Sequence, residues 1–223
     1  MIPKSTVNWR IWELVKVGIL ERVGRGLFIR GKTIQFRPFI RNQLKRLDDK
    51  IKAQYPFLKY CLWENDMIRT FQQHLSGSRF ILIDVDKDGV EALFEFLRET
   101  NKHTWIRPGP DMMYKYVLQQ NDSIIVRRLI SQAPVQFSGK TQTVTIEKML
   151  VDVFADGEFN YLAGNELSLV FKTAYERFTV NQNKLLRYAG RKGQREKLHA
   201  FLQTNQLTKK VYTANDIPGN TQR

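Results

Sequence analysis

The stretch Arg79-Phe80-Ile81-Leu82-Ile83-Asp84-Val85-Asp86-Lys87-Asp88-Gly89-Val90-Glu91-Ala92-Leu93-Phe94-Glu95-Phe96-Leu97-Arg98 admits two readings that lead to different folds. From Asp84 onward, three alternate aspartates, a glycine and Glu95 six residues later match the spacing of a calcium-binding EF-hand loop, which sits between two helices. The run before Asp84 is aromatic and β-branched, which reads as a strand, and Glu91 stands where such a loop usually carries an apolar residue. Read instead as a strand–turn–helix junction, the segment has Asp88 capping a helix, with Val90, Leu93, Phe94 and Leu97 as its buried stripe and Glu95 facing solvent. The second reading makes the chain α/β and removes the reason for calcium.

The pattern extends in both directions. Residues 57–63 read as a strand, 66–75 as a helix, 79–85 as a strand and 89–98 as a helix. Residues 123–130 form a further strand, and 135–137 pairs with 142–144 across Ser138-Gly139-Lys140. Four helices close the chain, at 146–154, 165–177, 183–188 and 194–203. On the N-terminal side, 40–53 is a highly charged helix with Ile40, Leu44, Leu47 and Ile51 on one side, ended by Pro56.

The first thirty residues read differently. Ser5 caps a helix with Val7, Ile11, Leu14 and Val15 at helical spacing, Gly18 stops it, and two short apolar runs flank Val23-Gly24-Arg25-Gly26 as a tight hairpin. This is the pattern of a recognition helix followed by a basic wing. Asn8 and Arg10 would reach base edges, Ser5 and Thr6 the backbone, and Arg22, Arg25 and Arg30 the phosphates. A winged helix normally has one or two helices ahead of its recognition helix, and only four residues precede Ser5. The segment is therefore a truncated winged helix; either the rest of the chain or a second subunit covers its stripe, or the start lies upstream.

Charge is distributed unevenly. Residues 1–60 hold 14 Lys and Arg against 4 Asp and Glu, residues 61–179 hold 13 against 16, and residues 180–223 hold 9 against 2. A mildly acidic middle with basic ends points to an anionic polymer as partner. No run of eighteen apolar residues and no leader pattern is present, so the expected location is the cytoplasm, with no membrane partner. Cys61 is expected to be a small buried apolar residue, and Trp9, Trp12, Trp63 and Trp105 core or interface residues.

Catalytic candidates are weak. Asp84, Asp86 and Glu95 could centre a metal-dependent nuclease or phosphoryl-transfer enzyme, but Lys87, next to Asp86, would point to the other sheet face. His74, His103 and His199 have no paired ligand spacing, and Gly190-Arg191-Lys192-Gly193 lacks the strand and the closing Lys-Ser or Lys-Thr of a phosphate loop. We therefore expect a protein that is not an enzyme and needs no metal or cofactor. Glu147, Lys148 and Asp152 read as a salt-bridged helix with Leu150, Val153 and Phe154 buried. Arg187, Arg191, Lys192 and Arg195 form a basic cluster across a helix break, suited to phosphates or to an acidic protein surface.

Three segments resemble one family. Ser5-Thr6-Val7 through Leu14-Val15-Lys16-Val17-Gly18-Ile19-Leu20 and Val23-Gly24-Arg25-Gly26-Leu27-Phe28 resemble the winged-helix start of AbiEi-type antitoxins of type IV abortive-infection toxin–antitoxin pairs. Thr145-Ile146-Glu147-Lys148-Met149-Leu150-Val151-Asp152-Val153-Phe154 is similar to a helix of that family's C-terminal antitoxin domain. Leu185-Leu186-Arg187-Tyr188-Ala189-Gly190-Arg191-Lys192-Gly193 is similar to its closing basic helix. The resemblance implies a winged-helix segment at 1–36 and a mixed α/β antitoxin domain at 56–212 that ends in helices; the residues between read as a connecting helix at 37–55, and 213–223 as a disordered tail. It also implies an autoregulator that binds promoter DNA of its own operon and neutralises a nucleotidyltransferase-like toxin without a stable complex. Palindromic operators would favour a homodimer. A basic interaction module that docks an acidic partner without DNA is the remaining alternative.

Overall fold

The computed structural model describes residues 4–16, 20–30, 34–72 and 78–207. A helix, α1 (Lys4–Lys16), leads to an antiparallel hairpin of β1 (Leu20–Gly24) and β2 (Leu27–Arg30). Gly26 takes φ +73° in the turn, a conformation that an L side chain resists. The pairing register shifts between Arg22 and Gly24, so the hairpin carries a bulge on its basic strand. After an extended segment, α2 (Asn42–Gln54) buries Leu44 and Ile51 against the main body, with Ile40 buried just ahead of it.

The main body is a mixed sheet in the order β3 (Tyr60–Glu64), β4 (Phe80–Val85), β6 (Ser123–Arg128), β5 (Thr104–Ile106). β3 runs antiparallel to β4, while β4, β6 and β5 are parallel. The chain leaves β4 through a 3₁₀ turn and α3 (Val90–Arg98), and passes from β5 to β6 through a helical segment that begins with α4 (Pro110–Met112) and continues as a π-helical turn (Met113–Val117). β4 is buried along its whole length, as expected of a parallel strand covered on both faces. Its Asp84 belongs to a strand–turn–helix junction, so the α/β reading of this stretch is correct. Helix α3 starts at Val90 with Gly89 as N-cap and no side-chain cap, so Asp88 lies in the 3₁₀ turn instead of capping.

A second hairpin, β7 (Val135–Ser138) with β8 (Thr141–Val144), turns through Gly139 at φ +62°. It is tied to α2 by Thr141 Oγ1, which donates to Asp48, and by Lys52 Nζ, which pairs with Asp48 within the helix and donates across to the Lys140 carbonyl. Four helices follow: α5 (Ile146–Ala155), α6 (Asn165–Arg177), α7 (Gln182–Arg191) and α8 (Arg195–Thr204). Thr145 caps α5 by accepting from the Lys148 backbone N–H, and Asn181 caps α7 by accepting from that of Lys184. One apolar core runs from Phe36 to Leu202 and joins α2, the sheet and the closing helices. No helix among the described residues is long and apolar enough to cross a membrane.

Two expectations shift. The helix expected at 66–75 is a 3₁₀ helix, Asn65–Phe71, and a further 3₁₀ helix, Gly157–Leu162, lies in a stretch left unassigned by sequence. The expected tail at 213–223 lies outside the described residues.

Candidate functional site

Helix α5 is buried on every side from Ile146 to Val153, although it carries Glu147, Lys148 and Asp152. A charge can be carried into an interior only when it is paired and hydrogen-bonded, and the sheet supplies the partners. In the strand register Asp84 lies beside Cys61 on β3 and Arg127 on β6, so these three share one sheet face. Lys148 Nζ donates to Asp84 Oδ2 at 2.6 Å and to Asp152 Oδ2, one turn along its own helix, at 2.5 Å. Arg127 donates through Nε to Asp84 Oδ1 at 2.7 Å, through Nη2 to Asp152 at 3.3 Å and through Nη1 to Asp156 at 2.9 Å. Tyr188 and Lys192 of the α7 end each reach Asp152 Oδ1 at 2.9 Å, and Lys192 also holds Asp156. Trp63 closes the cage: its Nε1 donates to Asp84 at 3.2 Å and its ring stacks on Phe159.

Sequence reading made Glu147, Lys148 and Asp152 part of a salt-bridged helix, and Lys148 and Asp152 do pair one turn apart. What periodicity did not show is their burial: Lys148 is 1% exposed and Asp152 is fully buried. The electrostatics follow from the cage. Burial alone would raise the Asp152 pKa, but Lys148, Lys192 and Arg127 outweigh it and hold the carboxyl far below its ordinary range. Burial opposes the charge of Asp84 in the same way, and Arg127 and Lys148 reverse the effect. Burial would discharge Lys148, yet Asp152 and Asp84 keep it firmly protonated. Asp156 differs: burial and the neighbouring Asp152 charge raise its pKa despite Arg127 and Lys192. Burial likewise pushes the Cys61 thiol and the Tyr188 hydroxyl up, so Cys61 is the inert buried residue expected.

Beside this cage a cleft of about 480 Å³ opens outside the carboxyl ends of β4, β5 and β6. Asp84, Arg127, Asp156, Glu158 and Lys192 reach it from the cage side, and Arg107 and Arg128 line it from the ends of β5 and β6. Arg107 and Arg128 are exposed and, among the described residues, have no acidic partner. Arg107 adopts φ +40°, unusual for a residue with a side chain.

The nuclease candidates are not brought together as a free acidic set. Asp84 is held by Trp63, Arg127 and Lys148, whereas Asp86 and Glu95 are exposed. Among the described residues no group of three or more His, Cys, Asp or Glu could hold a metal ion. The basic cluster divides: Arg187, Arg191 and Arg195 are exposed, Arg191 donating to Gln132, but Lys192 is pinned between Asp152 and Asp156. Lys192 is therefore a cage residue and not a free surface cation. The helix break expected here falls at Gly193, φ +68°. Sequence reading missed Arg107, Arg127, Arg128, Asp156 and Tyr188; the signal that could have found Arg127 is a charge ending an apolar strand, as Asp84 ends another.

At the N-terminus, Arg10, Arg22 and Arg25 are exposed, and Arg22 Nε donates to the Gly24 carbonyl. Of the tryptophans expected in a core or an interface, Trp63 is fully buried in the core, whereas Trp9 and Trp12, 58% and 59% exposed, are not core residues. Ile11, Leu14 and Val15 are half-buried. Ser5 is inside the first turn of α1, which starts at Lys4, so it is not the cap. The side chains of Ser5, Thr6, Asn8 and Arg30 lie outside the described residues. Among the described residues this region holds one helix and one hairpin.

No curated protein matches the chain. A family model, described as a family of unknown function (DUF6577), matches residues 6–208, taking in the helix–hairpin, the sheet, the ionic cage and all four closing helices. The chain belongs to the DUF6577 family.

Proposed function

We propose that this protein is the antitoxin and DNA-binding transcriptional autoregulator of a type IV toxin–antitoxin operon, binding its own promoter and neutralising a nucleotidyltransferase-like toxin. The observation that carries the reading is the exposed chemistry of the helix–hairpin. Arg10 and Arg25 have no acidic partner among the described residues, and Trp9 and Trp12 lie more than half exposed on the same short helix. Cations left without protein counterions are the ones that can release condensed ions from a nucleic acid backbone. The antitoxin half rests on the resemblance of two C-terminal segments to AbiEi-type proteins. In support, those segments meet: Lys148 and Asp152 of one share the buried cage with Tyr188 and Lys192 of the other. A nuclease centred on Asp84, Asp86 and Glu95 has less support, because Asp84 is neutralised by Arg127 and Lys148.

Fluorescence anisotropy on DNA from the gene's own upstream region, against a scrambled duplex over a series of salt concentrations, tests the regulator. Selective binding that weakens with salt is expected; equal binding to both duplexes would overturn it. Growth rescue on co-expression with an adjacent nucleotidyltransferase gene tests the antitoxin. An Arg10→Ala/Arg25→Ala variant should still rescue while losing promoter binding.

A further inference from the structure

We infer that the cleft at the carboxyl ends of β4, β5 and β6 binds a nucleotide, its phosphates held by Arg107 and Arg128 at the rim. Five observations converge on it. The cleft lies where parallel α/β sheets offer ligands a crevice, outside the carboxyl ends of their strands. Its volume of about 480 Å³ is that of a small-molecule site, since such pockets span about 300–1,000 Å³. The lining sets four cations, Arg107, Arg127, Arg128 and Lys192, against three carboxylates, Asp84, Asp156 and Glu158, and the carboxylates already pair with Arg127 and Lys192, so the cleft is net positive and its unpaired cations are the two rim arginines. Arg107 is held at φ +40°, and a side-chain-bearing residue kept in that region is a feature of ligand clamps. Pro108, Ile130 and Ala155 add an apolar wall against which a base can lie.

A concave site of this size favours a small phosphorylated molecule over a duplex, whose phosphates are read along an extended surface. The inference goes beyond the regulator and antitoxin reading and uses none of the helix–hairpin residues.

Isothermal titration calorimetry of the full chain with ATP, GTP, CTP, UTP and inorganic pyrophosphate tests it. Saturable one-to-one binding of at least one nucleotide is expected, tighter than pyrophosphate. The Arg107→Ala/Arg128→Ala variant should weaken that binding by about tenfold or more, from the loss of charge-assisted hydrogen bonds. Circular dichroism melting of the variant checks that it folds. Absence of saturation with every nucleotide at millimolar concentration overturns the inference, as does binding that the double variant leaves unchanged. Pyrophosphate bound as tightly as any nucleotide also overturns it, leaving an unspecific phosphate site. Loss of promoter binding in the double variant without nucleotide binding in the parent assigns the cleft to DNA instead. Arg25→Ala separates the two readings, because it should weaken DNA binding and leave nucleotide affinity intact.

Discussion

The cage around Asp152 and the helix–hairpin at the N-terminus are built from the same residue types and treat charge in opposite ways. In the cage, Arg127, Lys148 and Lys192 are each matched to at least two carboxylates at hydrogen-bonding distance, in a largely buried site. In the helix–hairpin, Arg10 and Arg25 stand in solvent without acidic partners among the described residues. A matched and buried charge organises a fold, and removing its partner is costly; an unmatched exposed charge contributes little to stability and is available to a ligand. The contrast makes the cage the scaffold that fixes α5 and α7 against the sheet, and leaves the cations of the helix–hairpin exposed, as the proposed DNA contact requires.

The largest effect should come from Asp152→Asn, which leaves Lys148, Lys192 and Arg127 facing a neutral amide. A loss of about 3–5 kcal/mol in urea unfolding is expected, as for any buried pair broken on one side. A loss under about 1 kcal/mol would mean that the cage is not what holds the helices, since surface pairs have that magnitude. Asp156→Asn should cost clearly less in the same experiment, because burial already disfavours its ionised form.

Acid sharpens the same comparison. The carboxyls of Asp84 and Asp152 are lowered in the folded state, so their contribution is complete above the unfolded value of about 4 and is lost as pH falls through the lower folded values. Asp156, whose pKa is raised, acts in the opposite direction over the window above about 4. Stability should therefore drop steeply below about pH 4, and the drop should be shallower in Asp152→Asn. A parallel pH profile for the two proteins would show that the cage is not the acid-sensitive element.

Smaller effects distinguish the two regions further. Arg10→Ala should cost about 1–3 kcal/mol in promoter affinity and relax preference at one base position. Thr145→Ala removes the α5 cap and should lower stability by about 1 kcal/mol, read as a shift in the urea midpoint. Arg25→Ala should leave stability within about 0.5 kcal/mol of the parent. It should also reduce the salt slope of DNA binding by about one, equally for promoter and scrambled duplexes.

Local pattern was sufficient for much of this molecule. The apolar run before Asp84 made β4 a strand against the EF-hand spacing, alternation across Ser138-Gly139-Lys140 predicted the second hairpin, and helical spacing placed α6 at Asn165–Arg177. Of the stripe Ile40, Leu44, Leu47 and Ile51, Leu44 and Ile51 of the charged helix and Ile40 just ahead of it are buried, and Leu47 packs partly buried against the same core. Periodicity records which face an element hides, and that signal is carried within a few turns or strand residues. Trp9 and Trp12 show the limit: an aromatic side chain on a short helix does not say whether anything covers it.

Sequence by itself determined the α/β class, the charge asymmetry and the helix-then-hairpin order, because each depends on neighbours close in the chain. Only the tertiary structure decided which charges are spent on the fold. Arg127 is 43 residues from Asp84 and Lys192 is 40 from Asp152. Strand register and the packing of α7 on α5 bring them together, and no local pattern encodes that meeting. Lys192 and Arg191 are neighbours in sequence, yet one is locked in the cage and the other is on the surface. A charged side chain takes its role from the dielectric and the partners around it, and both are set by residues far along the chain.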